Sequence, residues 1–260
     1  MIALAIVAHP DDIEFMLAGT LLQLKSRGVE IHMMNLADGS LGSSTLSPEE
    51  SVRVRWEESQ ASARVIGATM HPPLFPDLEV FYNQESLLKV IAAVRQVKPD
   101  IVLTQALADY MEDHQNSARL AVTAAISRGM KNAKCEPFVE PYDKPIAVYH
   151  AMPHGLQDPF GRTVVPERFI DISEVIATKT AMLNCHKSQA QWLEDTQGMS
   201  ALEAEMTDMA TAMGVRSEAF SLAEGLIRHN PLGFGPADFD PIAELLGPAC
   251  LKNSKFHKND

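Results

Sequence analysis

The feature that most constrains this chain is an apolar run at its start, Ile2-Ala3-Leu4-Ala5-Ile6-Val7-Ala8, which stops abruptly at His9-Pro10-Asp11-Asp12. The run is too short for a membrane span or for the core of a signal peptide with its charged flank, so it reads as a strand buried on both faces. Such a strand needs cover on both sides, and the following sequence supplies it. Helical periodicity is expected from Ile13 to Arg27, with Met16, Leu17, Leu21, Leu22 and Leu24 on the apolar face and Gly28 as the stop. Val29 to Leu36 is the next strand. Ser47-Pro48-Glu49-Glu50 has the composition of a helix start, and that helix runs to Ile66 before Gly67. A short strand (His71 to Phe75), a helix (Gln84 to Val97), a strand (Asp100 to Thr104) and a helix (Asp113 to Gly129) repeat the alternation. The pattern predicts an α/β fold, a Rossmann-like three-layer sandwich with a mostly parallel sheet.

The second half is less regular. Strands are expected at Ile146 to His150 and Phe169 to Ile172, a helix from Ser173 to Gln191, and a helical stretch from Ser200 to Ile227 broken at Gly214. With no internal repeat or low-complexity linker, one domain over residues 1–260 is the simplest organisation. It comprises a Rossmann-like core over about 1–150, added strands and helices over about 151–250, and a polar tail at 251–260.

The formal charge of -12 argues against non-specific binding to nucleic acid or anionic membranes, which need a basic face, and favours a small-molecule partner. Cys135, Cys185 and Cys250 are scattered and form no CxxC pair, so neither a disulfide framework nor a zinc ribbon is indicated, and a reducing cytoplasm is expected. No run approaches the length of a membrane span, which predicts a soluble protein.

In an open parallel sheet, ligands bind beyond the carboxyl ends of the strands. Two polar clusters fall there: His9-Pro10-Asp11-Asp12 after the first strand, and Asp109-Tyr110-Met111-Glu112-Asp113-His114 after the fourth. Together they offer two imidazoles and several carboxylates, the donor types zinc prefers. Catalytic zinc takes three protein ligands and keeps a position for water, and a neighbouring carboxylate can act as base. Either cluster alone also fits a plain structural role, such as helix capping by the aspartates. A nucleotide site, the other use of such a turn, needs a glycine-rich cradle, and two carboxylates there would repel pyrophosphate.

The run Ala8-His9-Pro10-Asp11-Asp12-Ile13-Glu14 resembles the signature of the PIG-L/LmbE-like zinc N-acetylglucosaminyl deacetylases. The resemblance continues through Asp38-Gly39, Gly42, Arg55, Phe75-Pro76-Asp77, Pro99-Asp100-Ile101-Val102 and Asp113-His114 to Lys179, His186-Lys187-Ser188-Gln189, Gly214 and Ala223-Glu224. It implies that His9, Asp12 and His114 bind one zinc ion per chain, that Asp11 is the general base, and that Asp113 belongs to a relay beside the second metal histidine, His114. It places Arg55 and Asp77 against the substrate, although an arginine on an acidic helix and an aspartate after Phe-Pro also suit a salt bridge and a turn. Many members carry a histidine where this chain has Met111, and a thioether cannot donate a hydrogen bond. His150 or His154 is the expected substitute donor.

The implied activity is removal of an N-acyl group, usually acetyl, from a small amino-sugar-like substrate. The alternative is a metal-binding regulatory or binding protein of the same fold with little chemistry. Helices of the last third could build a homo-oligomer interface. The substrate's identity and the choice between zinc and another divalent ion stay open at this point.

Overall fold

A computed structural model of the chain describes residues 1–197 and 202–256. Five strands run parallel: β1 (Ile2–Val7), β2 (Glu30–Asn35), β3 (Thr69–His71), β4 (Ile101–Thr104) and β5 (Ala147–Ala151). Three more, β6 (Arg168–Asp171), β7 (Ala223–Arg228) and β8 (Cys250–Lys252), extend the sheet antiparallel, giving the order β3-β2-β1-β4-β5-β7-β6-β8. The chain steps outward from β1 to β3, then returns to β1's other side for β4. The carboxyl ends of β1 and β4 therefore border the crevice where the strand order reverses, the ligand-binding place of such folds.

Within β1, Ala3, Ala5 and Val7 pack into one apolar layer while Leu4 and Ile6 pack into the other. The uncharged run at the start of the chain is thus a strand covered on both faces, as alternating Cβ directions require. The helices are α1 (Asp12–Met16), α2 (Ala18–Lys25), α3 (Pro48–Ile66), α4 (Gln84–Val97), α5 (Glu112–Ser127), α6 (Ile176–Leu183), α7 (Lys187–Gln197), α8 (Leu202–Ser217) and α9 (Pro241–Leu246). Helix α3 begins and ends as its residues dictate. Ser47 and Glu50 form a reciprocal capping box, and Gly67 closes the helix at φ 67°. Helix α4 spans the expected residues, with the Asn83 side chain accepting from the Ser86 amide at its start.

Four expectations are corrected. The first helix is interrupted at Leu17 (φ -131°), so that α1 and α2 are separate. The expected strand at 71–75 is displaced to Thr69–His71, and Phe75 makes only an isolated bridge with Ala37. The Ser173–Gln191 helix is two helices, with His186 buried between them. Most consequentially, the helical stretch to Ile227 ends at Ser217, and Ala223–Arg228 is a strand inserted between β5 and β6. Gly214 does not break α8; a Cβ there would collide with the Ser221 backbone, so the glycine lets the chain fold back against its own helix. A six-residue run with only a few apolar positions carries no periodicity that separates a buried strand from a helical turn, which is why the reversal escapes a reading by pattern. The expected helix start at Ser200 and the last tail residues, 257–260, lie outside the described residues.

The break at Leu17 has a long-range cause. Helix α2 has no cap of its own. Its first amides, Gly19 N and Thr20 N, donate to the Glu224 carboxylate from β7 at 2.8 and 2.7 Å, and the Thr20 hydroxyl joins at 2.6 Å. Lys179 of α6 neutralises the same carboxylate at 2.5 Å, and both side chains are almost fully buried. The ion pair ties the first thirty residues to the last quarter of the chain. Removing one partner leaves the other charged and desolvated, which costs about 3–5 kcal/mol, whereas an apolar replacement of both is far milder. Glu224→Ala should therefore lower the unfolding free energy in urea by roughly that amount, and the double replacement Lys179→Met with Glu224→Leu should recover most of the loss.

Candidate functional site

Between β1 and α1 the chain makes a sharp turn in which Asp11 adopts φ 107°, a region L-residues avoid at a cost of about 1–3 kcal/mol. The turn is gripped from outside. Arg55 of α3, itself buried, donates to the Pro10 carbonyl at 2.7 Å and also to the Gln189 side chain. Gln105, just past β4, accepts from the Ala8 amide at 2.9 Å. Its side-chain amide donates to Asp12 Oδ2 at 2.9 Å, and the His9 backbone amide donates to the same oxygen at 2.7 Å. Asp12 is thereby fixed at the carboxyl end of β1.

His114, in the first turn of α5, meets it from the β4 side. His9 Nδ1 and His114 Nε2 each stand 3.6 Å from Asp12 Oδ2. Among the described residues this is the one group of three or more metal-type side chains that converge, with a donor atom from each of His9, Asp12 and His114 mutually within 4.8 Å. The far nitrogen of each ring is occupied. His9 Nε2 donates to Asp113 Oδ2 at 3.2 Å and His114 Nδ1 to Asp109 Oδ1 at 3.0 Å. These carboxylates engage the outer nitrogens and turn the two inner nitrogens toward Asp12, where a cation would take the place of their protons, the usual backing of metal-ligating imidazoles.

The electrostatics match. Burial alone pulls the His9 imidazole down, but the carboxylates of Asp113 and Asp12 outweigh it and raise it to about 10. His114 is likewise raised, against its burial, by Asp12 and Asp109. Burial works to raise Asp12, yet His114 and His9 hold it well below the usual carboxylate range. Burial pushes Asp11 up to about 6 against the pull of Arg55, with Asp12 adding to the rise. Asp11, Asp12, Asp109 and Asp113 are all buried at this one spot; the two rings contact Asp12, Asp109 and Asp113, and the buried Arg55 offsets Asp11. A divalent cation is the natural complement of such a donor set.

The description PIG-L: GlcNAc-PI de-N-acetylase matches residues 4–125, the stretch that holds both clusters. A diacetylchitobiose deacetylase of Thermococcus kodakarensis is 30% identical over 193 residues, 72% of this chain and 69% of that protein. The chain belongs to the PIG-L family. A 4-oxalmesaconate hydratase of Pseudomonas putida is 27% identical over 198 residues, 72% of this chain and 73% of that protein. An N,N'-diacetylchitobiose deacetylase from Pyrococcus horikoshii, solved with an inhibitor, superposes with a TM-score of 0.75 at 22% identity, covering 93% of this chain and 88% of that one. It shares the fold.

Asp11, Arg55 and Asp77 all line the same cavity of this PIG-L chain, about 380 Å³ in volume, as do His9, Asp12, Met111 and His114. Asp113 was expected beside His114, but it lies behind His9, outside the cavity wall, and Asp109 takes the place beside His114. Arg55 serves the turn that carries Asp11. Asp77 accepts from the amides of Gly39 and Leu41 at 2.7 and 2.9 Å, and so shapes the loop after β2. His150 is not part of the wall. Its Nδ1 faces the Gln105 carbonyl at 2.8 Å, its Nε2 faces His229 at 3.0 Å, and burial lowers it to about 4. Both ring nitrogens are thus taken up by residues just past β4 and β7, so the expectation that it offers a donor to substrate is not met. His154 does line the cavity, paired with Glu205 at 2.9 Å.

Three contributors had no role assigned from the sequence: Asp109, Gln105 and His186. Asp109 stands five residues before His114 in an acidic run, and that proximity was its only signal. His186 comes from the far side of the sequence to pack beside Glu14, its Nε2 3.2 Å from Glu14 Oε1. The role of Asp77 is open to direct measurement. In Asp77→Ala the Gly39 and Leu41 amides lose their acceptor, worth about 1 kcal/mol each, and their hydrogen exchange should quicken while that of the β1 amides stays slow.

Proposed function

We propose that this chain is a zinc-dependent hydrolase that cleaves the amide of a small N-acylated, amino-sugar-like substrate, with one ion per chain held by His9, Asp12 and His114. The observation that carries the reading is the pair of inner imidazole nitrogens, each ring backed by a carboxylate, turned toward Asp12 beside a further buried carboxylate, Asp11, in the same cavity. Membership of a family described as de-N-acetylases, and 30% identity to a diacetylchitobiose deacetylase, support amide hydrolysis as the reaction. Zinc bound there supplies Lewis acidity, which makes water acidic enough to attack near neutral pH and polarises the acyl carbonyl.

The chain's own residues do the rest. Asp11 accepts a proton from water as its oxygen bonds to the acyl carbon. It then delivers that proton to the amide nitrogen as the carbon–nitrogen bond breaks, releasing a carboxylic acid and a free amine. Its raised affinity for protons suits both directions of transfer. Arg55 keeps the Asp11 turn in its unfavourable backbone shape through the Pro10 carbonyl. Asp109 and Asp113 keep the two rings in one tautomer and one orientation. Met111 offers no hydrogen bond to a developing oxyanion, so the donor in this chain is a different group from the histidine of many relatives.

A second reading has one specific support, the 27% identity to a hydratase across 73% of its length. Water made nucleophilic in the same way would then add across a carbon–carbon double bond. Amine release from N-acetylated amino sugars separates the two, because hydration consumes a conjugated chromophore and liberates no amine. On the deacylase reading, elemental analysis finds one zinc per chain. Asp11→Asn should keep the zinc and lose at least about a hundredfold in kcat, whereas His114→Ala should lose the metal itself. An Asp11→Asn enzyme with the parental rate overturns the base assignment.

A further inference from the structure

Three exposed large apolar side chains, Leu41, Leu78 and Tyr110 (51%, 56% and 63% exposed), stand on three different loops yet all face one cavity, the one holding Asp11 and the His-Asp-His cluster. Deeper in the same wall are Phe15, Trp192 and Leu193. Most polar groups between them are already engaged, Arg55 Nε excepted. Asp77 serves the Gly39 and Leu41 amides, Arg55 serves Pro10 and Gln189, and His154 pairs with Glu205. Beyond the reacting cluster, the wall therefore presents mainly apolar surface. A polyhydroxylated ligand would leave its hydroxyls desolvated without matched partners, which is unfavourable.

Leu78 strengthens the point. Its backbone lies at φ 63°, a region in which asparagine or glycine is far less strained than leucine. Its amide donates to Asp113 Oδ2 at 2.8 Å, the oxygen that also accepts from His9 Nε2. One carboxylate thus sets both the imidazole and the apolar rim above it. A leucine held there against its backbone preference is explained by what its side chain does in the cavity.

We infer that the part of the substrate beyond the scissile bond is apolar, so that the cavity takes amides carrying an aliphatic or aromatic substituent in preference to a free oligosaccharide. The inference rests on the amide-hydrolase reading and narrows its substrate class. The test compares the zinc-loaded protein on N-acetyl-, N-butyryl- and N-hexanoylglucosamine, on phenyl N-acetyl-β-glucosaminide, and on N,N'-diacetylchitobiose. In at least one of the two series, acyl length or aryl aglycone, kcat/KM should rise, by about fourfold per added methylene or more than tenfold for the ring. Equal or better rates on diacetylchitobiose and N-acetylglucosamine overturn the inference and leave the hydrolase reading standing. If no amide is cleaved, the hydrolase reading fails, and calorimetric binding of the same compounds to the zinc-loaded protein still decides the preference for apolar substituents. Leu78→Asn suits the backbone and should leave the protein at least as stable. It should cut the preference for the apolar compound about tenfold, and an unchanged preference counts against the inference.

Discussion

Everything at the site depends on one carboxylate, that of Asp12. Its Oδ2 accepts from the His9 amide and from Gln105 and has an imidazole nitrogen on either side. The two chain segments that meet there are a hundred residues apart in sequence. They are brought together because β1 and β4 are hydrogen-bonded neighbours, Leu4 opposite Val102 and Ile6 opposite Thr104. Four buried aspartates against two imidazoles and the Arg55 guanidinium is an arrangement that low-dielectric surroundings make costly unless a cation completes it. The same excess of negative charge orients the rings and raises their proton affinity. Geometry and electrostatics therefore point to the same occupant.

The strain at Asp11 belongs to this arrangement. With Asp11 in an ordinary helical conformation, the two adjacent aspartates would leave the turn in different directions from those seen. The φ of 107° instead brings both into one cavity, Asp12 among the histidines and Asp11 beside them. Such a backbone persists only when its surroundings over-determine it. Here Arg55, Gln105 and the backbone bonds from Leu36 and Ala37 to Val7 and Ala8 do so.

What could be read in the sequence follows from how local its cause is. The strands β1 and β4, the capping box of α3 and the limits of α4 are written in neighbouring residues, and they emerged nearly residue for residue. His9, Asp12 and His114 were legible because two clusters of the right donor types followed two buried strands, and the family resemblance then sorted them into ligands and base. The break at Leu17 was not legible, since its cause is a glutamate two hundred residues away. Nor was strand β7, whose short mixed run fits a helical turn equally well until it pairs between β5 and β6. His150 looked like a free histidine after a strand. Its engagement by Gln105 and His229 exists only once three separate segments are packed.

The account stands on a single ion seated between the two clusters. Anomalous scattering at the zinc absorption edge from crystals grown with zinc tests it most directly. One peak per chain is predicted, about 2.0–2.1 Å from both His9 Nδ1 and His114 Nε2 and about 2.0–2.2 Å from an Asp12 carboxylate oxygen. A peak on the outer nitrogens, a peak elsewhere in the chain, or none at this site in zinc-saturated crystals would contradict it.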